Sequence, residues 1–596
     1  MKKKLKATIT ALAVVTMLFG ACGKEEANKD TGNTPITEGV GTPTEAPTPE
    51  PTIPPSPTPE PTATPRPTAT PKPTATPKPT ATPRPTATPV VEETYSPVVS
   101  DGSSAALEAK WKAEFEGLTL AQTLKKIGYD APVMTQRYGA DPCAMVYDGR
   151  VYIYMTGDVV EYNYAGKAIE NTYSKINTIN VISSDDLINW TDHGSIYAAG
   201  KNGASTWGGN SWAPTAAYKE IDGKMKFFVY FANNGNGIGV LTSDSPTGPF
   251  VDPLGKPLIS RQTPNCADVT WLFDPAVLVD DDGSAYIYFG GGIPAGRHAN
   301  PGTGRVVKLG DDMISLEGEP VAIEIPYLFE DSGINKIGDT YYYSYCTNWN
   351  VDAEGGKKYG FSNAQIAYMT SKDPMGPFTY EGVVFKNQND YFPGNGGNNH
   401  HSIFEFNGEY YITYHTRVVG NQVGLKNLNY RSTHVTKINL LEDGTFEKLP
   451  KTNYTSLVQA KCLNPYEKVE AETMATMGGL TTIQEGADSV KYGSGNMAIA
   501  DIHSGDWLAL YGVDFGETGA TKFTAAVKAQ PEHTGAIQIR LDALDGEVVG
   551  YLDISEQPDG MYHEITVDLL KTVTGEHSLF FIFCGETYLV DYWMFQ

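Results

Sequence analysis

The chain has 596 residues, too many for one compact core, and this length points to two folded domains plus non-globular sequence. Its formal net charge of −25 argues against nucleic acid or acidic lipid as a partner and suits a neutral ligand. Six scattered cysteines form neither a disulfide framework nor a zinc-type spacing, so most of them read as small buried hydrophobes.

Met1 to Lys6 is a basic stretch, and Ala7 to Gly20 is an apolar run too short to span a bilayer comfortably. Gly20 and Ala21 then precede Cys22. Residues 1–22 resemble a bacterial lipoprotein signal peptide whose cysteine is lipidated after cleavage, with Phe19 where that pattern usually has Leu. An ordinary secretory signal is the alternative. Either one implies export, to the cell surface on a lipid anchor or as a secreted protein. From about Thr42 to Pro89 runs a Pro/Thr tract that becomes a strict six-residue repeat, with units ending at Arg66, Lys72, Lys78 and Arg84. Such sequence buries no core and favours polyproline II, so residues 23–103 read as a disordered stalk. At ~3.1 Å per residue the tract reaches on the order of 150 Å.

Leu107, Trp111, Phe115 and Leu118 recur at helical spacing, so a single amphipathic helix is expected within 104–130. A phrase then recurs five times between 131 and 462. In each copy an acidic, Trp or His anchor leads a short apolar run, a Gly-containing turn and an aromatic-rich return strand; the anchors are Asp141, Trp212, Asp274, Glu330 and His400. Each copy is a β-hairpin signature, and the intervals leave room for four strands per copy. An all-β chain is expected, with a five-bladed β-propeller over 131–462. Blades around one axis bring equivalent positions together, which places Asp141, Asp274 and Glu330 at one mouth of a central channel. After Asn464-Pro465 the pattern changes to many short alternating strands, the mark of a β-sandwich over 463–596.

Asp141-Pro142, Trp212-Ala213-Pro214, Asp274-Pro275, Phe329-Glu330-Asp331-Ser332 and His400-His401-Ser402 together resemble glycoside hydrolase family 43. The likeness extends to its arabinoxylan arabinofuranohydrolases, which carry a C-terminal module of carbohydrate-binding family 6. Taken singly, Asp-Pro and Glu-Asp-Ser are also ordinary turn and capping sequences. Inverting glycoside hydrolysis needs one carboxylate to deprotonate water and one carboxylic acid to protonate the leaving oxygen. The resemblance makes Asp141 the general base, Glu330 the general acid and Asp274 the group that raises and orients that acid. Trp212 and Trp349 are candidates for an apolar face against a furanose ring, or else for core. Arg417 resembles a substrate-bonding position, with an ion pair on the channel wall as its alternative. His400 resembles a channel histidine that relatives often direct toward calcium; a hydrogen-bonded core residue is the alternative, and His401 competes for the role. In the C-terminal domain Glu470, Glu472 and Asp591 match a pattern that commonly holds a structural calcium. Leu589, Asp501 and Met561 replace the residues that usually contact sugar there.

The resemblance thus implies an exported, inverting glycosidase that removes α-L-arabinofuranosyl branches from arabinoxylan, a plant cell-wall polysaccharide. A monomer without a catalytic cofactor is expected. A β-xylosidase or bifunctional form, and a retaining five-bladed glycosidase, are rivals within enzymes. A non-catalytic surface glycan-binding protein is the rival from another class.

Overall fold

The computed structural model describes residues 95–99, 102–125, 131–450, 457–486, 496–555 and 557–596. Cys22 and the Pro/Thr repeats lie outside them. Two short segments come first, strand β1 (Ser96–Val99) and helix α1 (Ser104–Glu116). Ser103 caps the helix, its side chain accepting from the Ala106 N–H.

Five antiparallel sheets follow in chain order. The first contains β2 (Ala140–Tyr147), β3 (Arg150–Thr156), β4 (Thr178–Ser184) and β5 (Trp190–Tyr197), and the second β6 (Trp212–Ile221), β7 (Lys224–Ala232), β8 (Gly237–Ser243) and β9 (Ile259–Ser260). The third runs β10 (Ala276–Val279), β11 (Ala285–Phe289), β12 (Gly304–Leu309), β13 (Leu316–Ile323), and the fourth β14 (Leu328–Ile337), β15 (Thr340–Thr347), β16 (Ile366–Ser371), β17 (Thr379–Phe385). The fifth has β18 (His401–Phe406), β19 (Glu409–Thr416) and β20 (Ser432–Ile438). Each recurring phrase is the hairpin of a sheet's first two strands. Asp148-Gly149, Asp222-Gly223 and Asn407-Gly408 turn three of them with both residues at positive φ, the backbone twist that a two-residue hairpin requires. The first strand of each sheet runs beside that of the next, and β18 returns to β2.

These first strands share a local defect. Asp141-Pro142 oppose the single residue Met155, Ala213-Pro214 oppose Phe231, and Asp331-Ser332 oppose Tyr345, each a bulge in the ladder. The leading residue of each bulge is left-handed, with φ of 47° at Asp141, 42° at Ala213 and 70° at Asp331; Asp274, just before β10, has φ 47°. Asp141, Ala213, Asp274 and Asp331 are therefore structurally equivalent. Trp212 and Glu330, aligned with Asp141 in the sequence phrase, stand one residue earlier, level with Ala140 and Phe273.

Two sheets stack to form the C-terminal domain. One is ordered Thr476–Gly478, Trp507–Asp514, Glu576–Cys584, Ala536–Leu541, Val548–Asp553. The other runs Tyr562–Val573, Ala520–Lys528, Leu589–Phe595, Met497–Ala500, Thr481–Gln484, and β1 extends it by pairing in parallel with Tyr562–Val573. The N-terminal helix belongs to this domain as well. Leu107, Trp111 and Phe115 are buried in its core, and the Phe115 ring lies 5.8 Å from that of Tyr551. Beyond the helix, Ala121 N–H donates to Gly505 O (2.9 Å) and Trp507 Nε1 donates to Ala121 O (2.7 Å). A side chain at Gly505 would strike Thr119 O at 2.3 Å, so glycine is what lets this segment approach.

The C-terminal domain is also sewn to the first sheet. Thr473–Met474 pairs antiparallel with β5 as its fifth strand. Asn189 bonds both backbone groups of Tyr511, at 2.9 and 3.0 Å, and buried Asp192 accepts from Arg137, Gln136 and, across the interface, Thr482 at 2.7 Å. Because Trp111 fills the sandwich from the other end of the chain, Trp111→Ala should destabilise it by about 3–5 kcal/mol, the usual cost of truncating a buried aromatic. Urea unfolding followed by Trp fluorescence reads this; an unchanged midpoint would mean that the helix is only laid on the surface.

Candidate active site

Strand starts converge on a cavity of about 90 Å3 lined by Pro142, Pro214, Pro275, Ser332, His400 and Ser402, among others. Three of the four equivalent left-handed positions carry an aspartate. Asp141, Asp274 and Asp331 all face the imidazole of His400. Its Nδ1 lies 3.7 Å from Asp141 Oδ1 and 3.9 Å from Asp274 Oδ2, and its Nε2 lies 3.1 Å from Asp331 Oδ1. The left-handed residue at each bulge re-aims these side chains inward, a local strain of about 1–3 kcal/mol per residue that the flanking ladder sustains.

Arg431, at the foot of β20, is the strongest charge in the site. Its Nη1 donates to Asp141 Oδ1 at 2.8 Å, while Nε and Nη2 grip both oxygens of Asp158 at 2.9 and 2.8 Å. The Tyr173 ring lies under the guanidinium, 5.1 Å from centroid to carbon. All three charged groups are buried. Burial alone would raise the Asp141 pKa, but Arg431, helped by His400 and His415, wins and holds it down at about 2. His415 accepts the Asp141 backbone N–H on Nδ1 (3.0 Å) and donates from Nε2 to Asn398 O (3.0 Å), which fixes a neutral tautomer. Burial agrees, pushing its pKa down to about 3.

Glu330 has the opposite environment. Burial, then Asp274 and Asp141, push its pKa well above the usual carboxylate range. Its Oε1 is buried and has no hydrogen-bond partner among the described residues, as suits an acid whose partner is a ligand oxygen. Asp274 is raised to about 7, by burial against the pull of His400, and its Oδ2 accepts from the Asp331 N–H at 2.9 Å. The site therefore holds Asp141 ionised beside two interacting carboxyls, Asp274 and Glu330, that are both pushed up.

The remaining candidates divide. His401 turns away from the cavity centre: its Nδ1 and N–H engage Asp331 Oδ2, and its Nε2 meets Ser344 Oγ at 2.7 Å. Of the two, it is His400 that meets Asp141 and Asp274. The cavity wall beside it offers hydroxyls of Thr215, Ser332 and Ser402. Burial works against charge on His400, yet Asp331, Asp141 and Asp274 together raise its pKa. Trp212 is half-buried and donates from Nε1 to Tyr173 O at 3.0 Å; Trp349 is 42% exposed. Arg417 makes no ion pair among the described residues, which removes the channel-wall alternative: its Nη1 bonds Asn429 Oδ1 at 2.7 Å, and its buried Nε has no partner. Asp158, Asp331, His415 and Arg431 were not singled out by the sequence. Only Asp331 carried a signal, once Asp-Pro and Glu-Asp-Ser are aligned on their bulges.

In the C-terminal domain no three His, Cys, Asp or Glu side chains of the described residues stand at metal-binding spacing. Glu472 has a buried Oε2 without a hydrogen-bond partner among the described residues, and burial followed by Glu470 raises its pKa well above normal. Met561 is 61% exposed and Asp501 is exposed, so neither position offers an aromatic platform.

Comparison with known proteins agrees with this chemistry. The family model "Glycosyl hydrolases family 43" matches residues 129–446, and "Carbohydrate binding module (family 6)" matches 470–596. An arabinoxylan arabinofuranohydrolase of Paenibacillus polymyxa is 46% identical over 470 residues, covering 77% of this chain and 72% of that one. Its namesake in Bacillus subtilis is 45% identical over 487 residues, covering 79% and 93%. The crystal structure of a glycoside hydrolase family 43 arabinoxylan arabinofuranohydrolase from Bacillus subtilis, in complex with cellotetraose, superposes with a TM-score of 0.75 at 44% identity, covering 80% of this chain and 99% of that one.

Arg431→Met should leave Asp158 and Asp141 buried without their cation, costing about 3–5 kcal/mol of stability. The Asp141 pKa should rise, so activity that needs this carboxylate ionised is lost at higher pH on the acid side than in the parent. Denaturant titration and an acid-limb rate profile check both; an unshifted limb would show that Arg431 does not set the charge of Asp141.

Proposed function

The chain belongs to glycosyl hydrolases family 43, and from that membership we propose that it removes α-L-arabinofuranosyl side chains from arabinoxylan with inversion at the anomeric carbon. The observation that supports the mechanism is the opposed environment of two buried carboxyls close enough to act on one another, Asp141 held near 2 and Glu330 pushed well above its normal value. Asp141 takes a proton from water as that water attacks the anomeric carbon, and Glu330 gives its proton to the departing main-chain oxygen. Asp141 ends protonated and Glu330 ionised, and exchange with solvent restores both. Asp274 keeps Glu330 protonated by like-charge proximity while its other contact, the Asp331 N–H, fixes its position. Trp212, Trp349 and Arg417 are the substrate-facing wall in this reading.

The five sheets act as blades of a five-bladed propeller, a reading supported by the circuit of first strands from β2 through β18 and back. A calcium ion held by Glu470, Glu472 and Asp591 would supply the positive charge that this acidic cluster lacks. The chain works as a monomer outside the cell, carried by lipid on Cys22 with the Pro/Thr tract as a stalk. No helix among the described residues is long and apolar enough to cross a membrane.

A proton NMR time course on an α-L-arabinofuranoside tests the mechanism. β-Arabinofuranose should appear first, with the α anomer following by mutarotation. Initial α anomer would demand a covalent intermediate and overturn the role of Asp141, whereas xylose in place of arabinose would move the substrate to the xylosidase alternative. For the anchor, Cys22→Ala should shift the protein from the membrane fraction to the soluble fraction; continued membrane retention would sink the lipid reading.

A further inference from the structure

Between β3 and β4 the chain leaves the first sheet as a short hairpin, residues 161–169. Ile169 N–H donates to Glu161 O and Asn163 N–H to Lys167 O, each at 2.9 Å, and Tyr162 bridges Ala168. Asn163 Oδ1 closes the tip by accepting from the Ala165 and Lys167 N–H groups at 2.9 and 3.1 Å. The stem is braced against the active site. Tyr430 OH accepts from Glu161 N–H and donates to Ile169 O, both at 2.8 Å, and the residue after Tyr430 is Arg431. Just before the stem stands Asp158, the partner of that arginine. Just after it, Glu170 accepts from Asn429 Nδ2 at 2.6 Å, and Asn429 in turn holds Arg417. The hairpin is thus a fixed projection from the side of the pocket that carries Asp141.

Its tip presents two aromatic rings to solvent. Tyr162 is 64% exposed and Tyr164 fully so, at 113%. An aromatic ring held out in water forgoes the burial that normally accounts for its presence, and nothing in the described fold covers this one. A braced tyrosine has only two side-chain torsions to fix when it binds, so it loses little entropy against a flat ligand. The net charge of −25 disfavours an anionic ligand, and the C–H face of a neutral sugar ring matches an uncharged aromatic face.

We propose that Tyr164, with Tyr162 beside it, is a stacking platform for a pyranose of the polysaccharide main chain, outside the pocket that takes the branch sugar. This rests on the arabinoxylan reading above and extends it to the aglycone. The catalytic carboxyls are buried, so a branch sugar must enter the pocket while the main chain crosses its rim. The platform would act through polymer binding and not through chemistry.

Tyr164→Ala, assayed on soluble arabinoxylan and on 4-nitrophenyl α-L-arabinofuranoside, separates the two. Polymer kcat/KM should fall by about 5- to 10-fold, chiefly through KM, while the aryl glycoside rate stays within about two-fold and Tyr164→Trp retains polymer activity. An unchanged polymer KM, or equal losses on both substrates, would overturn the platform. Should the parent enzyme release no arabinose from either substrate, the functional reading has failed on its own account. The platform is then decided by electrophoretic retardation in xylan-containing gels, where a weaker shift for Tyr164→Ala supports it and equal shifts for parent and variant reject it.

Discussion

One guanidinium decides the chemistry of this protein. Asp141, Asp158, Asp274, Glu330 and Asp331 are all buried, and the cations that face them are Arg431 and the His400 imidazole. A carboxylate taken out of water without a counter-charge is costly enough that it protonates instead. Arg431 spends its donors on Asp158 and Asp141, so Asp141 stays ionised at about 2 while Asp274 rises to about 7 and Glu330 is pushed well above the usual carboxylate range. Each pKa unit is worth about 1.4 kcal/mol, so a separation of several units between neighbouring carboxyls is a large electrostatic difference made by the placement of one cation. The pocket is an acid and a base because it is short of positive charge.

That placement depends on a backbone irregularity repeated around the fold. Ala213 adopts the same left-handed conformation at the same bulge as Asp141, Asp274 and Asp331, although it has no functional side chain. The kink is therefore a property of how the first strands enter the ladder, not a consequence of catalytic side chains. Three sheets use it to direct a carboxyl at His400. Glu330 stands one residue before its bulge, so it leaves the backbone in another direction from Asp331. This offset gives the fourth sheet two buried carboxyls with different neighbours, and it separates the proton donor from the residue that holds His400.

The sequence was most legible where local chemistry repeats. Apolar alternation and Asp-Gly or Asn-Gly turns marked the hairpins, because turn geometry is written in two adjacent residues. The same phrase marked Asp141, Asp274 and Glu330, which the fold brings together as buried carboxyls, but the equivalence was read one residue out at Trp212 and Glu330, since a bulge inserts a residue without leaving a mark in hydrophobic pattern. Arg431 left no signal: it follows Tyr430 at the start of an outer strand and meets Asp158 and Asp141 only through long-range packing. Arg417, closer to a recurring phrase, drew attention that belonged partly to Arg431. The stripe of Leu107, Trp111 and Phe115 announced a helix, yet amphipathicity reports which face is covered and not what covers it. Its cover is the sandwich at the other end of the chain.

That closure of the chain gives the C-terminal domain a role independent of sugar affinity. Its Thr473–Met474 strand extends the sheet whose first hairpin carries Asp141, and Asp192 and Asn189 fix the contact with buried hydrogen bonds. Buried polar pairs of this kind are specific in geometry, because a shifted interface would leave each group unsatisfied. The N-terminal helix packs into the core of the same domain. Met561 and Asp501, at two positions where an aromatic platform is expected, are both exposed. A brace of this form holds the Asp141 sheet and the N-terminal helix against one sandwich, and it needs no ligand to do so.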